Sequence, residues 1–207
     1  MKWGYILPVF LMGAIPFAAQ AQNAEAAQPA CDVAVWTTAN YSADRMGLIT
    51  GGVIDTALKR ASVPEINSVD AIRMMLPPET LFEVISTSSL DDIIGRPINY
   101  IHIEKTGVES EADRKSKTRA YPSDNPCYIE VHLWNVYYQS APFHGERIFS
   151  YWRLKDFRGE QLVSKGGYDN GQMKKFSKQD FETASEMARG AIREVFEKVA
   201  TKKLPRR

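Results

Sequence analysis

Histidine and cysteine are scarce in this chain, with three and two among 207 residues. The two cysteines, Cys31 and Cys127, are distant in sequence and offer too few ligands for a thiolate metal centre. Charge of either sign is not in excess. Lys and Arg number 26 against 25 Asp and Glu, which removes the electrostatic basis of non-specific nucleic-acid binding. Catalytic signatures are missing too: there is no Gly-x-Ser-x-Gly elbow and no His-Glu-x-x-His. The glycines at 47, 51 and 52 lack both the Gly-Lys-Ser/Thr end of a phosphate loop and the spacing of a dinucleotide fingerprint. Beyond residue 21 no apolar run approaches the roughly eighteen residues that a membrane helix requires. No cofactor and no metal are therefore expected.

What is present begins at the amino end. Met1-Lys2 places a positive charge before an apolar run over residues 3–18, which Pro8 and Pro16 interrupt, and Ala19-Gln20-Ala21 follows as a small-x-small site. That order reads as a secretory signal over residues 1–21, with Gln22 first in the mature chain. Residues 22–30 are small and polar and make a disordered lead-in. A single domain is expected over residues 31–201, with a basic tail at 202–207. The signal predicts a periplasmic or secreted protein. Under oxidising conditions an even cysteine count favours a Cys31–Cys127 bridge.

Periodicity supplies the elements. A first strand is expected over residues 31–36, with Cys31, Val33 and Val35 on one face. Small and apolar residues at 47–58 suggest a closely packed helix or a loop. Helices are expected over 68–75, after Pro77-Pro78, and over 89–94, the last closed by Gly95. Residues 98–104 read as a strand and 105–125 as a solvated loop. Long strands follow over 127–138, with a bulge at Trp134-Asn135, and over 147–157. A third is expected near 161–164, with a turn at Gly166-Gly167. The last element is an amphipathic helix with Phe181, Ala184, Ala188, Ala191, Ile192, Val195 and Val199 on its apolar side, Ser177 as cap and Asp180 in its first turn. The fold class is α+β: an antiparallel sheet of four to six strands, helices mainly on one face, and a long amphipathic C-terminal helix.

Two sets of side chains could carry function. His102 with Glu104 on one strand, and Glu130 with His132 on another, would converge for acid–base or metal chemistry if those strands were neighbours. The alternative is that they form the wet face of a sheet. Phe149 and Tyr151, on the face shared with Arg147 and Arg153, suit contacts with a partner. His144, in the Pro-Phe-His-Gly stretch of the loop over residues 139–146, reads as a loop residue.

The order of a helix ending at Ile94-Gly95, the strand Ile98-Asn-Tyr-Ile-His-Ile103 and two long strands resembles envelope proteins of the curli-secretion and penicillin-binding-protein-activator type. Those in turn resemble the amino-terminal α/β domain of TolB. The hairpin Trp152-Arg-Leu-Lys-Asp-Phe-Arg-Gly-Glu-Gln-Leu-Val-Ser164 is similar to theirs. The likeness spans about residues 68–165 and lacks their lipidated cysteine; the chain as a whole looks like uncharacterised secreted proteins of Gram-negative bacteria. The resemblance implies a non-catalytic envelope adaptor with an envelope protein as partner, and it carries over no active-site residues. The expected function is a periplasmic accessory or binding protein acting through protein contacts. The alternatives are a small periplasmic enzyme, metal-assisted or not, and a lipid or small-ligand carrier. Oligomeric state is not legible.

Overall fold

A computed structural model describes residues 29–45, 69–141, 145–159 and 162–204. The signal over 1–21, most of the lead-in, the segment 47–58, His144 and the end of the basic tail lie outside the described residues. Six strands form one sheet: β1 (Cys31–Trp36), β2 (Tyr41–Arg45), β3 (Ile98–Ile103), β4 (Tyr128–Ala141), β5 (Gly145–Asp156) and β6 (Val163–Gln172). The described helices are α1 (Val69–Met75), α2 (Pro78–Ser86), α3 (Leu90–Ile94), α4 (Gly107–Lys115) and α5 (Phe181–Lys203).

The strand order is β3-β1-β4-β5-β6, with β2 beside β4 where β1 leaves off. The sheet is mixed rather than antiparallel. β1 runs parallel to both β3 and β4, and β2 runs parallel to β4; only β4-β5 and β5-β6 are antiparallel. The reason lies in the connections. Helices lie in the connections that lead to β3 and from β3 to β4, as parallel neighbours require, whereas only short connections separate β4 from β5 and β5 from β6. β1 carries the mark of a central parallel strand, since Cys31, Val33, Ala34, Val35 and Trp36 are all buried.

Helices α1, α2, α3 and α5 cover one face, hereafter the inner face. Val33, Val35, Ile129, Val131, Val136, Ile148, Trp152 and Leu154 meet Leu81, Ile85, Ala188, Ile192, Val195 and Phe196 there. Pro78 opens α2, and Gly95 closes α3 at φ 79°, both as the sequence suggests. Asp180 caps α5 by accepting from the Thr183 N–H at 2.9 Å. Ser177, expected as the cap, belongs instead to a short 3-10 turn over Phe176–Lys178. Phe181, expected in the core, is exposed at the helix start.

Two further expectations are corrected. Residues 105–125 are not a plain loop: they contain α4 and lie on the outer face, where Ala120 and Tyr121 meet Trp36 and Tyr128. Gly166-Gly167 is not a turn but part of β6, which runs on to Gln172. A Cβ on Gly171 would stand 2.7 Å from the Ala191 Cβ, and one on Gly167 would stand 2.8 Å from a Val199 methyl. These glycines let α5 lie close against the sheet.

Candidate functional site

Register decides what the histidines do. β1 lies between β3 and β4, and it pairs Val35 with His102 and Trp36 with His132. Successive residues of β1 point to opposite faces, so the two histidines do as well. His102 stacks on Phe82 at 4.4 Å on the inner face, within 3.3 Å of Thr37 Oγ1. Glu104 lies just past the end of β3 and is exposed. The structure therefore separates His102 and Glu104 from Glu130 and His132. Among the described residues no group of three His, Cys, Asp or Glu is disposed to hold a metal ion.

Glu130 and His132 do meet, in a buried cluster on the outer face. Register places Lys155 opposite Glu130, and its ammonium donates to Glu130 Oε2 at 2.6 Å. Oε1 of the same carboxylate accepts from the Ala120 N–H at 2.6 Å and the Tyr128 hydroxyl at 3.1 Å. His132 stacks on Trp36 at 4.2 Å, with Nε2 3.2 Å from Glu130 Oε2. α4 closes the cluster. The Asp113 carbonyl accepts from Lys155 at 2.6 Å, and its carboxylate accepts from the Trp36 indole at 3.0 Å and Lys105 at 2.8 Å.

Burial pushes the Glu130 carboxyl up, but the bonds from His132, Lys155 and Ala120 outweigh it and leave the group below its usual range. Burial pushes His132 down, the Glu130 bond opposes this, and neighbouring Lys155 adds to the fall. A neutral imidazole donating from Nε2 to Glu130 leaves Nδ1 buried with no hydrogen-bond partner among the described residues. Glu130 and Lys155 have no solvent exposure, so the cluster fastens the outer strap to the sheet and offers no surface to a substrate.

The contact candidates fare differently. The bulge between Leu133 and Asn135 shifts the β4 pattern by one residue. Even-numbered outer positions before it become odd-numbered ones after it, which brings Asn135 and Tyr137 opposite Tyr151 and Phe149. An aromatic row results: Trp134 lies 5.1 Å from Tyr151, Tyr151 is 5.6 Å from Tyr168, and Tyr137 is 5.6 Å from Phe149. Trp134 and Tyr168 are 37% and 68% exposed, which no core role requires. Arg153 pairs with His132 and Gly166 across the sheet, Arg147 with Gln139 and Gln172, and both share this face. Arg114 of α4 stands 4.8 Å over the Trp134 ring. Tyr168 was not among the sequence candidates. Its signal was phase: it alternates with Gly166 in a strand that glycines disguise, while Trp134, at the expected bulge, is the residue that shifts the pattern.

No family model and no curated protein matches the chain. Two of the solved structures that resemble it have low identity. One is the hypothetical protein CT253 from Chlamydia trachomatis, at 10% identity and TM-score 0.36, with 83% of this chain and 96% of that one covered. The other is an uncharacterised protein at 11% identity and TM-score 0.29, with 85% and 95% covered. Likeness at this level carries no functional argument.

The inner face beneath the hairpin is filled. Trp152 lies 4.9 Å from Phe196, and Tyr138 lies 5.3 Å from Phe176. The Cys31–Cys127 bridge is present, with Cα atoms 4.7 Å apart at the start of the β1-β4 pairing. Among the described residues no helix is long and apolar enough to cross a membrane.

Proposed function

We propose that this is an exported accessory protein of the bacterial envelope, which works by binding another envelope protein and not by catalysis. The aromatic row on the outer sheet face is the observation that carries this reading. Tyr151 and Phe149, with Tyr137, Trp134 and Tyr168, make a rigid surface across three strands, with Arg114 of α4 over its Trp134 end. Stacked aromatics lose little side-chain entropy on binding and make good anchors. Arg147 and Arg153 border the row, with Arg114 balanced by Glu111 at 3.9 Å and Asp44 beside Tyr137, so its rim keeps a cationic excess. An acidic segment of a partner, with an apolar side chain to set among the rings, is the complement. The secretory reading of residues 1–21 and the Cys31–Cys127 bridge both suit a periplasmic or secreted location.

The test is photo-crosslinking in the native envelope, with the probe at Tyr151 or Tyr168 and, as control, at Glu186 on the far side of α5. A discrete heterologous adduct from the sheet positions is expected, absent from the control and lost in Arg147→Glu/Arg153→Glu. Adducts equal in both positions, or only of doubled chain mass, would overturn the reading.

A further inference from the structure

A second feature adjoins the docking face just proposed and shares Trp134 and Arg114 with it, but its ligand does not depend on that reading. β1 and β3 end side by side, at Trp36 and Ile103. The chain leaves β1 through residues 37–40 into β2, within the sheet, and leaves β3 into α4 on the outer face. In sheets with parallel strands, a crevice beyond the carboxyl ends is the usual place for a ligand. A cleft of about 280 Å³ lies there, bounded by residues 37–40, the first turn of α4 with Arg114, and the bulge at Leu133 and Trp134. Its size is at the small end of ligand sites, which run from roughly 300 to 1,000 Å³.

The cleft is held open by side chains bonded to its walls. Thr38 Oγ1 donates to the Trp134 carbonyl at 3.1 Å and accepts from the Asn40 N–H at 2.8 Å. The bulged carbonyl is thereby satisfied without a strand, so β1 and β2 part at this point. The remaining lining mixes polar groups with Ala39, Val108 and Leu133, and its one acidic and one basic side chain, Glu111 and Arg114, balance. Thr106 and Ser110 contribute hydroxyls, and Asn40 contributes an amide whose Nδ2 also donates to the Trp134 carbonyl at 3.4 Å. Glu111 is balanced by Arg114 at 3.9 Å and by Lys115 at 2.5 Å. One aromatic wall, Trp134, is partly exposed.

From this lining we propose that the cleft binds a single neutral saccharide ring, free or at the end of a glycan. Hydroxyl and amide groups match a polyhydroxylated ligand, the charge balance favours a neutral one, and an indole takes the apolar C–H face of a sugar. A volume near 280 Å³ suits one ring rather than a chain.

The experiment is a two-dimensional NMR titration of the mature protein with glucose, galactose and N-acetylglucosamine, each to tens of millimolar, with inorganic phosphate in parallel. Trp134→Phe assigns the indole N–H signal. At least one sugar is expected to shift that signal and the amides of residues 106–111, with saturation. Asn40→Ala and Ser110→Ala should each weaken binding by up to about tenfold, the loss expected of one hydrogen bond, with the melting temperature unchanged. Tyr168→Ala should leave binding intact. No saturating shift with any sugar would overturn the proposal. So would shifts produced by phosphate alone, which would mean an anion at the helix start, or sugar shifts indifferent to both variants.

Discussion

Lys155 Nζ lies 2.6 Å from Glu130 Oε2 across a β4-β5 register pair, and neither side chain has any solvent exposure. Such a pair is stabilised only because each charge has further partners: Tyr128 and Ala120 on the carboxylate, the Asp113 carbonyl on the ammonium.

Removing one member should therefore cost far more than removing both. Lys155→Met alone leaves a buried carboxylate, and a loss of roughly 3–5 kcal/mol is expected. Glu130→Gln/Lys155→Met should recover a large part of that in urea denaturation. A double variant whose loss equals the sum of the Glu130→Gln and Lys155→Met losses would show that the pair is not coupled.

Stability should fall with acid in two stages. His132 is held below its usual 6.5, so the folded state favours the neutral ring; that contribution is complete above 6.5 and declines as pH falls towards the folded value. Glu130 is held below its usual 4.5, so its contribution is present above 4.5 and is lost as pH falls through its folded value. The His132 stage can reach a slope of about 1.4 kcal/mol per pH unit. Denaturation midpoints measured from pH 7 to pH 4 should show it, and His132→Gln should flatten the limb between 6.5 and 4.5.

The bridge closes a loop of 96 residues in sequence separation, for which chain entropy gives roughly 4–5 kcal/mol. Cys31→Ser/Cys127→Ser should lose up to that amount, and reductant should have no further effect on it. An unchanged denaturation midpoint would show that the bridge contributes nothing.

Gly171→Ala should destabilise by about 1–3 kcal/mol, because the new methyl would meet both the Cβ and the backbone of Ala191. Gly166→Ala has room and should stay within about 0.5 kcal/mol. Ala191→Gly should rescue Gly171→Ala only in part, since the Ala191 carbonyl stands 3.0 Å from the same position. Equal effects at the two glycines would mean that α5 does not press on β6 as described.

Much of the layout was legible because it rests on short-range signals. Pro78 opening α2, Gly95 closing α3, the break in alternation at Trp134 and the spacing of Ala184, Ala188, Ile192 and Val195 each express a rule spanning a few residues. α4 was missed because its helix buries no residue of its own, and β6 because Gly166 and Gly167 look like a turn until Val199 is seen against them. The outward placement of Phe149 and Tyr151 followed from alternation alone.

The amino-acid sequence by itself determined where most of the helices and the longer strands begin, though not β2 or α4, which faces of those strands are apolar, and that two cysteines were available to pair. Only the tertiary structure decided that β1 enters between β3 and β4. That one insertion makes the sheet mixed, sends His102 and His132 to opposite faces and leaves the cleft beyond Trp36. Strand order is settled by long crossovers whose packing draws on residues far apart in the chain, so no local pattern encodes it.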